Sequence, residues 1–268
     1  MAAPGALADR LASAVGQSSE QAVVAGDALI AIAGFLASRA SLRRALTDPG
    51  RSADSREALA RQLFGGKVDE AALDVVGAAV GSRWARTGAL ISALSELGVQ
   101  AHLISADIRG QLDVVEEELF RFSQTVRIET ALRSALLDRS APEESRRQLV
   151  RTLLEGKAQP ETVRLVETAV LERREGGLEK ELDRIVDLAA ARRRRKVAVA
   201  RVAAPLTDEH RDRLLRALST QAGADVQLNV VVEPELVGGI RVEIGDEVVD
   251  GTVIGRLEDA RRQLAGSR

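Results

Sequence analysis

Few residue types in this chain of 268 residues could perform chemistry, and their spacing assembles no known catalytic motif. The sequence has no cysteine, which excludes disulfides, thiolate metal ligands and cysteine nucleophiles. Its two histidines, His102 and His210, lie far apart in the chain, and neither belongs to a metal-ligating pair such as HxxxH. We therefore expect a protein that is not an enzyme and that needs no cofactor and no metal.

Two glycine-containing segments are superficially similar to phosphate-binding loops. Gly66 and Lys67 lack the upstream glycine of such a loop, and Val68 stands where the hydroxyl ligand of magnesium belongs. Gly238 and Gly239 lead into an apolar strand pattern, whereas phosphate-binding loops lead into a helix N-terminus. We interpret the first segment as a helix end and the second as a hairpin or a bulge.

Charged residues are frequent, and their arrangement points to solvated surfaces. The acidic residues 116–118 are interpreted as an exposed helix face, not as an acid–base pair. The basic run at residues 192–196 ends a helical pattern, where cations complement the negative helix terminus. The net charge of −2 and the lack of aromatic residues in this run disfavour nucleic acid. A nucleic-acid-binding or regulatory adaptor that uses residues 192–196 is kept as the alternative function. An enzyme, the third class, would need a pocket with perturbed carboxylates.

The composition favours helices that pack through aliphatic side chains. The chain is 45% hydrophobic and 29% charged, but only 2% aromatic. Its longest uncharged apolar stretch, residues 28–38, is shorter than the roughly 20 residues that span a bilayer, so we expect no membrane-spanning helix. Asp9 and Arg10 lie where a signal peptide needs an apolar run, so we expect a cytoplasmic protein.

An internal repeat covers much of the chain. Residues 42–67 align with residues 132–157 at a constant offset of 90, with 12 identities in 26 positions and no gap. Composition alone predicts about two or three identities. Apolar residues recur at three- and four-residue steps in both segments, as an amphipathic helix requires. The pattern predicts two multi-helix bundles that are joined around residues 98–110, where Gly98 and Gly110 interrupt it.

From about residue 196 the apolar period changes to that of strands. The pattern predicts strands at 197–202, 226–232, 239–244 and 248–249, a helix capped by Thr207 that runs to about residue 222, and a last helix at about 252–264. The predicted fold is mainly α, with two repeated multi-helix bundles followed by a small C-terminal α/β domain. The predicted domains are residues 1–100 and 101–195 for the two bundles and 196–268 for the α/β domain.

The α/β region resembles a known family. Residues 235–258 are similar to the C-terminal signature of the delta subunit of the bacterial proton-translocating F-type ATP synthase, the counterpart of the mitochondrial oligomycin-sensitivity-conferring protein. More loosely, residues 5–11 and 41–46 resemble its first two helices. The signature residues, which are structural in the family, are Gly238, Gly239, Gly245, Asp246, Asp250, Gly251, Arg256 and Leu257.

The chain departs from an ordinary member of this family in its length. The surplus equals the repeat offset, so the chain resembles the long actinobacterial form with a duplicated helical bundle. It is also similar to the delta portion of the mycobacterial fusion of a b-type subunit with delta. Since we expect no membrane-spanning segment here, the resemblance implies a separate b-type stalk subunit.

The resemblance implies a non-catalytic stator subunit. Such a subunit binds N-terminal helices of the alpha subunits on the alpha and beta catalytic head and holds the peripheral b stalk, so that rotor torque drives ATP synthesis coupled to proton transport. It implies one copy per complex, peripheral on the cytoplasmic side of the cell membrane, without direct membrane insertion, cofactor or nucleic acid. The residues expected to contact an alpha-subunit helix, which fit a bundle core equally well, are Leu7, Leu11, Val15, Trp84, Leu90, Leu94 and Leu97.

Overall fold

The computed structural model describes residues 4–172, 177–194, 196–222, 226–233, 236, 239–244 and 247–250. The chain divides into two compact units, residues 1–192 and 193–268. It is mostly helical with one small sheet, which confirms the predicted fold class at this level.

The first unit consists of helices joined by short connections. Within the described residues the helices are α1 (Pro4–Val15), α2 (Ser19–Ala37), α3 (Ala40–Thr47), α4 (Ala53–Phe64), α5 (Glu70–Gly81), α6 (Thr87–Ile108), α7 (Leu112–Ile128), α8 (Thr130–Leu137), α9 (Glu143–Leu154), α10 (Pro160–Leu171) and α11 (Gly177–Arg194).

Local sequence signals set several of these boundaries. The Ser18 side chain accepts a hydrogen bond from the Gln21 N–H at 3.2 Å and caps the start of α2. Gly66 follows α4 with a φ of 70°, a left-handed conformation that favours glycine. The Lys67 ammonium donates to the Leu63 carbonyl at 2.8 Å. The interpretation of Gly66 and Lys67 as a helix end, not a phosphate-binding loop, is therefore confirmed.

Two hydrophobic cores share one helix. The first core is built from α1 to α6 and the second from α6 to α11. Leu94 and Leu97 of α6 belong to the first core, while Val99 and Leu103 belong to the second. The cores are thus joined by a continuous helix.

The expected interruption at Gly98 is wrong, because α6 runs through this residue. A Cβ atom on Gly98 would lie 2.5 Å from Ile30 Cγ1 and 3.0 Å from the Gly26 carbonyl oxygen of α2. The glycine therefore permits a close approach of two helices and does not end one. Gly110 does follow the end of α6, with a φ of 65°.

Helices α2 and α6 are, in the described part of the chain, the two whose length and hydropathy would suffice to cross a membrane. The uncharged stretch at residues 28–38 lies within α2, and the apolar run of α6 is interrupted by Glu96. The two helices pack against each other and contribute Leu29, Leu36, Leu90 and Leu94 to the first core. We interpret both as core helices of the first unit.

The second unit contains a four-stranded sheet and one helix in its described residues. Its elements are β1 (Lys196–Val202), α12 (Asp208–Ala222), β2 (Val226–Val232), β3 (Ile240–Ile244) and β4 (Glu247–Asp250), in the sheet order β2-β1-β3-β4. Strand β1 is parallel to β2 and antiparallel to β3, and β3 pairs antiparallel with β4. The Thr207 hydroxyl accepts a hydrogen bond from the His210 N–H at 3.3 Å, as predicted for the cap of α12. The last predicted helix, at about 252–264, lies outside the described residues.

Candidate helix-binding clefts

The first cleft is about 800 Å³ in volume and lies between α1, α6 and α11. Small side chains of α6 line its floor, among them Gly88, Ala89 and Ala93. Small residues let the backbone of a bound helix approach closely, which increases van der Waals contact. The remaining lining residues are Leu7, Trp84, Arg86, Ser92, Glu96, Leu97, Gln100, Lys180, Glu181 and Arg184.

Most residues expected to contact an alpha-subunit helix are buried in the first core. Four of them are at most 1% exposed and are therefore core residues, not contact residues: Leu11, Val15, Leu90 and Leu94. Leu7 and Leu97 also belong to the first core, at 3% exposed, and border the first cleft, so Trp84 alone of the seven is only partly buried. Periodicity finds the apolar face of a helix but does not tell which turns a neighbouring helix covers.

Trp84 is the lining residue best suited to a partner contact. It lies in the connection between α5 and α6. Its indole N–H donates to the Ala79 carbonyl at 2.8 Å, and its ring is half-buried against the first core. An indole ring that is anchored at its polar atom and open on another side is a frequent interface residue. Arg174, the residue equivalent to Trp84 at the repeat offset, lies outside the described residues.

An ion-pair group centred on Arg184 forms one end of the first cleft. The Arg184 guanidinium lies 2.6 Å from the Glu181 carboxylate on α11 and 3.3 Å from the Glu96 carboxylate on α6. Burial opposes the positive charge, but hydrogen bonding and attraction to Glu181, with attraction to Glu96, outweigh it and raise the pKa of Arg184. This group fixes α11 to α6. No local pattern predicts this group, because Arg184 and Glu96 are 88 positions apart in the chain.

A second cleft of about 1000 Å³ lies between α2, α6, α9 and α10. One wall is the apolar side of α2, including Ile30 and Gly34. On the other side Glu167 accepts hydrogen bonds from Arg147 at 3.1 Å and Arg151 at 2.7 Å. The charges on that wall therefore compensate one another.

Polar contacts join α2 and α6 to α10 beside the second cleft. The Asp27 carboxylate lies 3.5 Å from the Arg164 guanidinium. It also lies 3.3 Å from Nε2 of the fully buried His102, but these two atoms are not aligned for a hydrogen bond. Burial favours the neutral Asp27 carboxyl, but His102 and Arg164 together lower its pKa. Glu161 accepts hydrogen bonds from Ser105 at 2.8 Å and Arg109 at 2.9 Å, and these overcome burial to lower its pKa. These contacts hold α10 against α2 and α6.

The basic run is only partly exposed where the structure describes the burial of its residues. Its first member, Arg192, is only 11% exposed and lies 2.8 Å from the Asp107 carboxylate of α6. Its last member, Lys196, begins β1, and Arg195 lies outside the described residues. In the described part of the run, no observation favours nucleic acid.

The family signature residues lie only partly within the described structure. Gly239 has a φ of 87° and directly precedes β3, which supports the hairpin or bulge interpretation. Asp250 is the last residue of β4. The other signature residues, Gly238, Gly245, Asp246, Gly251, Arg256 and Leu257, lie outside the described residues.

A cleft lined by small and apolar side chains can hold an amphipathic helix of another protein. The family model for the ATP synthase delta (OSCP) subunit matches residues 99–264. The chain is 44% identical to the ATP synthase subunit delta of Beutenbergia cavernae over 97% of this chain and 96% of the relative. It is 43% identical to that of Streptomyces avermitilis, over 98% and 96%. A chain of the Toxoplasma gondii mitochondrial ATP synthase hexamer is 20% identical, with a TM-score of 0.27 over 62% of this chain and 94% of that chain.

The chain belongs to the ATP synthase delta (OSCP) subunit family. It is therefore a non-catalytic stator subunit in the peripheral stalk of ATP synthase, and it is associated with the membrane through that complex. The sequence resemblance and the prediction that the chain is not an enzyme are confirmed.

Proposed function

We propose that the first cleft binds an N-terminal helix of an alpha subunit of the catalytic head. The cleft floor follows α6 from Gly88 to Gln100, a length of about 18 Å at the helical rise of about 1.5 Å per residue. It therefore fits about three turns of a partner helix. Trp84 offers a partly exposed apolar surface beside the floor, and the core residues Leu7 and Leu97 border the cleft. The observation that carries the proposal is the partly exposed Trp84 beside this floor of small residues.

We also propose that the helical region is a duplicated unit, with bundles at about residues 1–100 and 101–195 that share α6. The bounds of α3, α4 and α5 recur in α8, α9 and α10 at an offset of 90. Buried positions recur at the same offset, as in Leu29 with Leu119 and Leu36 with Val126. The family model begins at residue 99 and covers the second bundle and the sheet, which fits a first bundle added to an ordinary member.

The proposed role of the second unit is to hold the C-terminal end of a b-type stalk subunit. Residues 193–268 form a compact unit of their own, and the family signature lies within it. A stator must resist rotor torque, so contacts at two separate places suit it better than one. One copy per complex, on the cytoplasmic side of the membrane, completes this proposal.

The test of the alpha-subunit contact uses Trp84 as the reporter. The full chain has one tryptophan and no tyrosine, so its emission reports Trp84 alone. We expect a synthetic peptide of the N-terminal segment of the cognate alpha subunit to shift this emission on binding, because the peptide removes the indole from water. Isothermal calorimetry under the same conditions gives the saturation point.

The expected result is a spectral change that saturates together with the calorimetric signal. An unchanged spectrum at calorimetric saturation would place the contact away from Trp84, with the second cleft as the next site to examine. The same peptide with its apolar face replaced by serine is the control and should not bind.

A further inference from the structure

We infer that the second bundle supplies one wall of the first cleft, and that this wall recognises an acidic side chain on the bound helix. The inference rests on the proposed alpha-subunit contact and adds to it the chemistry of the occupant. The occupant is an amphipathic helix of about three turns whose apolar face is flanked by at least one carboxylate.

The wall comes from α11, whose apolar side belongs to the second core. Leu178 and Leu182 of α11 are packed in that core. Lys180, Glu181 and Arg184 of the same helix line the first cleft. The wall therefore comes from a helix of the second core, whereas the floor comes from α6, whose residues Leu90, Leu94 and Leu97 pack in the first core.

Arg184 positions this wall. It is 26% exposed and joins Glu181, which is 5% exposed, to Glu96 on α6. Removing the guanidinium would leave the buried Glu181 carboxylate without this partner, which disfavours the present position of α11. Arg184 thus affects binding of the partner helix indirectly, because it holds α11 in the position that forms the wall.

The charge left at the cleft is positive. The lining has three cations, Arg86, Lys180 and Arg184, against the two carboxylates of Glu96 and Glu181. Arg184 is paired with both carboxylates. Arg86 and Lys180 are exposed, and among the described residues neither has a carboxylate within ion-pair distance. A carboxylate beside the apolar face of the bound helix would complement these two cations, and it would also speed association at low salt.

The experiment measures the affinity of the full chain for the cognate alpha-subunit N-terminal peptide at two salt concentrations. The variants are Lys180→Glu and Arg184→Met. We expect each to weaken binding by about tenfold at low salt, and we expect the loss from Lys180→Glu to shrink at high salt because salt screens exposed charges. The matched control is Arg127→Met, which removes the pair between Arg127 on α7 and Asp183 on α11 away from the cleft, and it should bind like the unchanged protein.

Circular dichroism shows whether Arg184→Met remains folded. Lys180 is exposed, so Lys180→Glu tests the inference even if Arg184→Met unfolds. In a second peptide, lysine replaces the acidic residue that flanks the apolar face. This peptide should bind Lys180→Glu more tightly than the first peptide does, and it should bind the unchanged protein more weakly. If the unchanged protein binds the peptide and Lys180→Glu binds it equally well at low salt, the inference is wrong and the proposed function stands. If the unchanged protein does not bind the peptide, both are wrong.

Discussion

At the scale of single residues, the repeat identities have a structural reason that is visible at Arg56 and Arg146. Arg56 is 4% exposed and donates to the Gly81 carbonyl at 2.9 Å and the Ser82 carbonyl at 2.8 Å, at the end of α5. Arg146, at the repeat offset, donates to the Val170 carbonyl near the end of α10 at 3.3 Å. A helix leaves its last carbonyls without intrahelical partners, and these arginines satisfy some of them.

We expect Arg56→Met to lower the free energy of unfolding by about 2 kcal/mol, because two carbonyls near the helix end lose a charged donor. Arg146→Met should cost less, below about 1 kcal/mol, because it removes one longer bond. Urea denaturation followed by circular dichroism measures both variants. Equal losses would mean that the two arginines stabilise their helix ends equally, and the argument from bond number and length would then be wrong.

The sequence revealed which side chains are apolar but not what covers them. Leu11 and Leu94 fitted both a core and a partner surface, and their complete burial comes from neighbouring helices that no local pattern specifies. Trp84 was selected by its residue type, and it does line the cleft. Arg184 was not selected, because its partner Glu96 is distant in the chain. Tertiary ion pairs of this kind need the fold before they can be predicted.

At the scale of elements, periodicity predicted the helices and strands well, and it failed where one helix serves two cores. The strands β1, β2 and β3 and the helix α12 were expected within a residue or two of their observed bounds. The continuity of α6 through Gly98 was not expected, because glycine has two structural uses. It ends helices through a left-handed conformation, as at Gly110, and it permits close packing, as at Gly98.

The crossing of α2 and α6 gives the prediction at this scale. We expect Gly98→Ala to destabilise the protein, because overpacking costs about 1–3 kcal/mol and the contacts include the Gly26 carbonyl, whereas the gain in helix propensity is about 1 kcal/mol. Gly77→Ala in α5 is the control, since nothing within 4 Å would meet its Cβ, and it should stabilise by about 0.5–1 kcal/mol. Thermal unfolding of both variants measures the difference, and a stabilised Gly98→Ala would contradict close packing at this crossing.

At the scale of the whole molecule, the two compact units suggest two separate attachments. The helical unit has clefts along its helices, while the sheet unit has its own small core that includes Ala198, Ala200 and Leu228. A subunit that transmits torque between two bodies needs this division, because each contact must hold while the other is loaded. The units should therefore bind their partners independently.

The last prediction tests this independence with a truncated chain of residues 1–195. We expect it to bind the alpha-subunit N-terminal peptide with the affinity of the full chain, because the cleft lies wholly within its helices. We expect it to lose binding to a peptide of the C-terminal segment of the b-type subunit, since residues 196–268 are absent. Calorimetry with each peptide measures both affinities, and circular dichroism checks that the truncated chain keeps its helices. If residues 1–195 bind the b-type segment as tightly as the full chain does, the stalk attaches to the helical bundles and the assignment of the sheet unit is wrong.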